Sequence, residues 1–339
     1  MGKQDVLQAI EGFYLSGVLV HFSEKGLFDE LISGRTPAEI ARSRHYDERL
    51  FLALLDFISE KSDVLIRKRN GRYEVRPKYL QYYSLGFQLA KFIGAYGPTV
   101  LQMEESLTRP QLGRDLVRRA VEAEAYRIIE SPPNPLVLEI ARERGIGSLL
   151  DLGCGPGTLL SELSEGNSDF RGWGLDASPE MCAVARRRIS EKNLSRRVRI
   201  LCGDVRRLAT HVPSRTRSRI EYLHAKGLLD ELFRSGDAEA IKLLANLRRL
   251  FPGRLLLVVD YYGKLTRVRN SPARFRHTII HDVIQVLTAQ GVPPEDVIGW
   301  ARLYDAAGCS LDHAYEAESQ GIDWFVHIVR LNGTKWRRS

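Results

Sequence analysis

The chain has 339 residues, of which 44% are hydrophobic and 27% charged, with a formal net charge of +8. That length suits two domains rather than one core, and the balance is that of a soluble globular protein. No unbroken apolar run reaches the roughly 18 to 20 residues of a membrane span. The start, Met1-Gly2-Lys3-Gln4-Asp5, has no secretion-signal core, and Val6 stands where a myristoylation motif wants Ser or Thr.

The first predicted elements are helical. Residues 4–31 carry Val6, Ile10, Phe13, Tyr14, Val18, Phe22, Leu27, Phe28 and Leu31 at helical spacing. Thr36-Pro37-Ala38-Glu39 then reads as a helix start: a capping hydroxyl, proline at the first helical position, and an acid three residues after the cap. A further helix is expected from Glu48 to Lys61. Val64–Arg67 and Tyr73–Val75 flank Asn70-Gly71, a tight-hairpin signal. Helix, turn, helix and hairpin in this order make a winged helix. Arg67-Lys68-Arg69 on the wing invites a DNA-binding reading. The favoured reading of residues 1–98 is a dimerisation and lid domain, because an α/β domain of catalytic type follows directly; the helix from Asp47 to Lys61 is also mostly apolar and poorly suited to reading a groove. Residues 99–145 read as linker helices.

From residue 146 to 339 strands and helices alternate. Strands are expected at Ser148–Leu152, Gly172–Leu175, Val198–Leu201, Arg219–Leu223, Arg254–Asp260 and Trp324–Leu331, with helices at Ser178–Glu191, Ala238–Leu250 and Pro294–Ala307. This pattern predicts an α/β fold, a doubly wound Rossmann-like sheet with helices on both faces. Residues 261–293 form an insert expected to lie above the sheet.

Leu149-Leu150-Asp151-Leu152-Gly153-Cys154-Gly155-Pro156-Gly157 feeds a buried strand into a loop with glycine at alternate positions. Glycine permits the sharp turn and the close approach of a ligand, and the following helix presents free N–H groups there. Nicotinamide and flavin proteins also use such loops. Asp151 at the strand end would repel a pyrophosphate but suits a cation. Asp176, followed by Ala177, ends the next strand and is placed to accept ribose hydroxyls. Asp204, followed by Val205, sits after the third strand, within reach of an adenine amino group.

These three segments together resemble the class I S-adenosylmethionine-dependent methyltransferases over residues 147–331. The resemblance implies S-adenosyl-L-methionine as cofactor, held by Asp151, Gly153, Gly155, Gly157, Asp176, Ala177, Asp204 and Val205. The two-domain layout is similar to small-molecule methyltransferases with an N-terminal winged-helix dimerisation domain. In those O-methyltransferases a histidine after the fourth strand deprotonates the acceptor. Here Gly227 falls at that place, and His224 lies three residues earlier.

His224 is therefore either a base facing the cleft or a satisfied histidine at the strand edge. His277 and His281 share a helical face beside Asp282. They read as a base, a substrate clamp, a metal pair, or a solvated or structural pair. The insert also resembles that of α-keto-acid C-methyltransferases, which have an iron site there, but the match is incomplete and no metal is assigned. His224, His281 and Asp282 are the catalytic candidates. Arg267, Arg269, Arg274 and Arg276 would neutralise an anionic substrate if they face inward. Tyr261 and Tyr262 read equally as an aromatic wall or as core.

The expected function is methylation of a small metabolite, anionic or aromatic, in natural-product (antibiotic) biosynthesis, on oxygen first and on carbon or nitrogen second. A protein or RNA methyltransferase and a winged-helix regulator sensing S-adenosylmethionine are the alternatives. Neither a nucleic acid nor a membrane is expected as partner. The resemblance implies a homodimer. Cys154, Cys182, Cys202 and Cys309 show no C-x-x-C spacing, which points to reduced thiols in a cytoplasmic protein.

Overall fold

A computed structural model describes residues 3–76, 89–128, 134–265, 276–319 and 322–332. The chain divides into two compact units, Met1–Pro98 with Ala120–Ile129, and Thr99–Arg119 with Glu130–Ser339. Residues 99–145, expected as a linker, are thus shared between both.

In the first unit, α1 (Lys3–Glu24) and α2 (Leu27–Ile32) are separated at Gly26, whose φ of +65° breaks the helix. α3 (Pro37–Arg44) has the expected start: Glu39 N donates to Thr36 Oγ1, and Thr36 N donates to the Glu39 carboxylate at 2.7 Å. α4 (Glu48–Lys61) is capped by Asp47, which accepts from Leu50 N. Its buried face carries Phe51, Leu55 and Ile58, while Leu50 is exposed. β1 (Leu65–Arg67) and β2 (Tyr73–Val75) form the antiparallel hairpin. Phe22 stacks on Phe51 in the core, with ring centroids 5.5 Å apart.

The two halves of α1 differ. Leu19, Val20 and Phe22 are buried, whereas Val6, Leu7, Ile10, Phe13 and Tyr14 stay exposed. By length and mean hydropathy Asp5–Glu24 is long and apolar enough to cross a membrane, although no unbroken apolar run within it reaches that length. Glu11 interrupts the apolar run. In this fold the segment's C-terminal half belongs to the unit's core.

From Ala120 on, α5 (Arg119–Ile128) belongs to the first unit; in the second, α6 (Asn134–Glu143) precedes β3 (Ser148–Leu152). There follow α7 (Thr158–Gly166), β4 (Arg171–Asp176), α8 (Pro179–Glu191), β5 (Val198–Cys202), β6 (Tyr222–Lys226), α9 (Ala238–Leu250) and β7 (Leu255–Tyr261). The chain closes with α10 (Arg276–Leu287), α11 (Val297–Ala306), β8 (Ser310–Ser319) and β9 (Ile322–Arg330). Strand order is β5-β4-β3-β6-β7-β9-β8. The first five strands in this order run parallel, while β9 pairs antiparallel with β7 and β8.

Alternation along the strands sorts side chains into two layers. Leu150, Leu152, Leu223 and Val258 pack with Leu243 and Leu244 of α9 and Trp300 of α11. Leu149, Leu257 and Val259 pack with Ile140 of α6, Leu160 of α7 and Ala185 of α8. Chain order reverses direction between β3 and β6, so the loops leaving them diverge. This switch point is where open α/β sheets bind ligands.

Two strand expectations change. The fourth parallel strand is Tyr222–Lys226, three residues beyond the expected Arg219–Leu223, because Arg219 O and Glu221 N are already engaged by Ser148 Oγ at the sheet's rim. β8 was not expected at all. It is an edge strand with exposed His313, Ala314 and Glu316 and a register irregularity between Leu311 and His313, so it lacks the alternation that marks a half-buried strand.

Candidate active site

The glycine loop follows β3 directly. Gly153, Gly155 and Gly157 all have left-handed backbone, with φ of +68°, +51° and +71°. Gly153 N and Cys154 N both donate to Leu175 O, at 2.8 and 3.2 Å, which pins the loop to the end of β4. A Cβ on Gly157 would lie 3.2 Å from Ala185 Cβ, whereas one on Gly155 would meet nothing within 4 Å. Gly157 lets α7 pack closely on α8, and Gly155 leaves open space over the loop. No side chain caps α7, so its first-turn N–H groups remain for a ligand.

Asp176 ends β4 with its carboxylate turned to the loop. Oδ2 accepts from Gly155 N and Oδ1 from Ser178 N, both at 2.8 Å. Its backbone carbonyl accepts from Gly203 N at 2.8 Å. Ala177 beside it is exposed. Asp204 follows Gly203 and caps a 3₁₀ turn, Val205–Arg207, accepting from Arg206 N. Both oxygens of Asp204 also accept from the Arg206 guanidinium at 2.6 to 3.0 Å. Hydrogen bonding to Arg206 holds this carboxyl below the usual range. Three sequence-predicted acids thus lie at the ends of adjacent strands, with Asp176 bonded to the glycine loop and Gly203, beside Asp204, bonded to Asp176.

The third acid is placed differently. Asp151 and His224 face each other across β3 and β6. Both are almost wholly buried, and His224 Nδ1 lies 2.6 Å from Asp151 Oδ1. His224 sits in the middle of β6 and its ring is engaged with a carboxylate. Two residues on, Lys226 Nζ donates to Asn134 Oδ1 at 3.0 Å, and Asn134 Nδ2 donates to Glu162 Oε2 at 2.9 Å. Gly227 follows with φ +55° and donates to Val259 O. Lys226 and Asn134 escaped the sequence reading. The signal was the alternation that puts Lys226 on the same face of β6 as His224.

Asp282 of α10 is buried, and its two oxygens accept from Tyr261 Oη, Lys264 N and Leu265 N at 2.6 to 2.8 Å. Burial raises this carboxyl. The arrangement is a staple closing the turn after β7. His281 is also buried, its ring edge-on to Tyr261 with centroids 4.7 Å apart. Tyr262 packs on Phe325, and its hydroxyl lies 3.2 Å from His327 Nε2. Both tyrosines are at most 5% exposed, so core packing describes them. The side chains of Arg276 and His277, and residues 266–275 with Arg267, Arg269 and Arg274, lie outside the described residues. Among the described residues no three potential metal ligands come together.

Another buried cluster was not foreseen. Asp260, at the end of β7, accepts from Asp230 N at 3.1 Å and Tyr261 N at 2.9 Å. Asp230 Oδ2 accepts from Gln285 Nε2 of α10 at 2.6 Å. Burial first, and the neighbouring Asp230 second, push the Asp260 carboxyl well above the usual range.

A seven-stranded sheet with β9 inserted antiparallel between β7 and β8, a glycine loop after β3 and an acid ending β4 is the arrangement of Rossmann-like methyltransferase folds. Residues 149–245 match the family described as a methyltransferase domain. That stretch holds the glycine loop and Asp176, so the sequence match falls on the site just described. It is 26% identical to the 2-ketoarginine methyltransferase of Streptomyces arginensis over 187 residues, 51% of each chain. The match spans about half the length of that curated relative. The mitomycin 7-O-methyltransferase MmcR superposes over 97% of both chains, with TM-score 0.73 and 16% identity. The O-methyltransferase NcsB1 from neocarzinostatin biosynthesis, in complex with S-adenosylmethionine and 2-hydroxy-5-methyl naphthoic acid, covers 93% of this chain and 95% of its own, with TM-score 0.62 and 16% identity. At these identities the likeness to the solved structures is one of fold.

Proposed function

We propose that the protein is an S-adenosylmethionine-dependent methyltransferase of a small metabolite in natural-product biosynthesis, acting on oxygen. The observation that carries this reading is the carboxylate of Asp176 bound to the backbone of the glycine loop at the sheet's switch point. Asp151 and the loop of Gly153, Gly155 and Gly157 would hold the cofactor's methionine part. Asp176 with Ala177 would hold the ribose, and Asp204 with Val205 the adenine. The fit rests on the open space above Gly155, the uncapped start of α7 and the Asp176 carboxylate turned to the loop, a set that would suit a cationic ligand. A carboxylate offers about four acceptor sites, so one group can both hold the loop and accept ribose hydroxyls.

When bound, S-adenosylmethionine supplies an electrophilic methyl group on a sulfonium. The chain's own residues then act by placing the acceptor in line and excluding water. A base matters only where the acceptor keeps its proton at working pH. Gly227 has no side chain to serve, His224 is paired with Asp151, and Asp282 is a staple, which leaves His281 as the candidate base. His281→Ala is expected to lower kcat by about a hundredfold with cofactor affinity unchanged. Full turnover would remove it from the mechanism.

A second reading, methylation at carbon of a small α-keto acid, is favoured by the likeness to 2-ketoarginine methyltransferase. Lys226 at the C-terminal end of β6 would suit such an anion. The exposed apolar residues Val6, Leu7, Ile10, Phe13 and Tyr14 support a homodimer formed through a winged-helix domain, and we place the protein in the cytoplasm. Parallel calorimetric titrations with S-adenosylmethionine, S-adenosylhomocysteine and NAD test the reading. Micromolar binding of the first two alone is expected, with the mass of two chains in light scattering. Binding of none would overturn the cofactor assignment, and a single-chain mass would end the homodimer.

A further inference from the structure

The buried pair across β3 and β6 calls for its own account. Asp151 is 3% and His224 1% exposed. A carboxylate this far from water is costly unless it is paired and hydrogen-bonded. His224 provides the pairing. An ionised carboxylate only accepts, so the ring donates through Nδ1. That bond fixes the ring's orientation and the carboxylate's rotamer together. It also leaves Nε2 of His224 buried and without a hydrogen-bond partner. A histidine serving only to satisfy the core would close that second nitrogen on a neighbour, as His327 does with Tyr262 and Tyr304.

Asp151 lies two residues before Gly153, the first glycine of the loop that leaves this strand. We infer that His224 is a positioning residue for the cofactor's amino-acid end: it holds the Asp151 carboxylate in place to receive the ammonium group. The inference rests on the reading of Asp151 given under the proposed function. His224 does not touch the reacting methyl group in this account. It prepays the ordering of Asp151, which otherwise falls on the binding step. This also explains why a histidine stands where an aliphatic residue would suit a central strand better.

The test separates positioning from mere packing by using two ligands. S-adenosylhomocysteine carries the ammonium and carboxylate of the amino-acid end, and 5′-methylthioadenosine lacks both. His224→Leu fills the core without a donor; His224→Asn keeps a donor at the place of Nδ1. Calorimetry on the full chain should show S-adenosylhomocysteine weakened about tenfold by His224→Leu, the size of one charge-assisted hydrogen bond. Binding of 5′-methylthioadenosine should be unchanged in the same variant, which also certifies its fold. His224→Asn should restore S-adenosylhomocysteine binding to within about twofold of the parent. Asp151→Asn is the companion variant, and it should lose affinity for S-adenosylhomocysteine selectively. If Asp151→Asn does so and His224→Leu does not, the positioning role is overturned and the reading of Asp151 stands. If Asp151→Asn binds both ligands like the parent, that reading falls and the inference with it. Equal weakening of both ligands by His224→Leu, without rescue by Asn, would make His224 a packing residue only.

Discussion

Asp176→Ala is expected to raise the dissociation constant for S-adenosylhomocysteine about a hundredfold or more. The carboxylate does two jobs at once. Its bonds to Gly155 N and Ser178 N, both 2.8 Å, fix the glycine loop and the start of α8. In the proposed complex it also accepts ribose hydroxyls. Charge-assisted hydrogen bonds contribute roughly 1.5–3 kcal/mol each. Losing the loop's anchor and the ribose contacts together therefore amounts to about two powers of ten in affinity. Asp176→Asn should lose less, since one oxygen acceptor remains while the amide nitrogen opposes a backbone N–H. The loop keeps its bonds from Gly153 and Cys154 to Leu175 O in both variants, so the sheet should fold. Titration calorimetry checks the effect, with circular dichroism as control, and parent-like affinity in Asp176→Ala would undo the ribose assignment.

Local features were legible in the sequence and long-range pairings were not. The capping box of α3 and the hairpin of β1 and β2 depend on residues close together in the chain, and both form as read. The glycine loop and the acids that end β4 and follow β5 were also legible, because each lies beside a strand end marked by its own apolar run. What escaped depends on which strands become neighbours. Asp151 and His224 are 73 residues apart and meet only because β6 joins the sheet beside β3. Read singly, Asp151 looked like a ligand for a cationic cofactor, and His224 like either a base facing the cleft or a satisfied histidine at the strand edge. Asp282 looked like a partner for histidine, yet Tyr261 Oη and the backbone amides of Lys264 and Leu265 donate to it. A single sequence does not display where backbone amides point. Tyr261 and Tyr262 alternate across the sheet's end, and only the packing of β9 beside β7 shows both to be core.

Asp260 carries the other large expectation, and it concerns stability. The side chain is fully buried at the end of β7, beside Asp230, with Tyr261, Tyr304 and Glu231 as further titratable neighbours. Its hydrogen bonds from Asp230 N and Tyr261 N favour the ionised form. Burial and the charge of Asp230 oppose ionisation and prevail, so the folded carboxyl titrates well above the unfolded one. The native state then holds a proton that the unfolded state has released. Stability from this group is fully present below the ordinary carboxylate range, near pH 4. It is lost as pH rises through the raised folded value. Asp260→Asn removes the titration while keeping an oxygen to accept one of the two amide protons and a volume close to the original. Its melting temperature should approach the parent's in mild acid and exceed it by on the order of 5 °C at pH 8. The gap should widen with pH, because only the parent must ionise a buried group or retain its proton. Thermal melts at half-unit pH steps from pH 5 to pH 8 decide the matter. A gap that does not change with pH would mean that Asp260 is charged in the fold throughout, stabilised by the two amides that point at it. A variant that melts lower at every pH would mean that those amides contribute more than the buried charge costs.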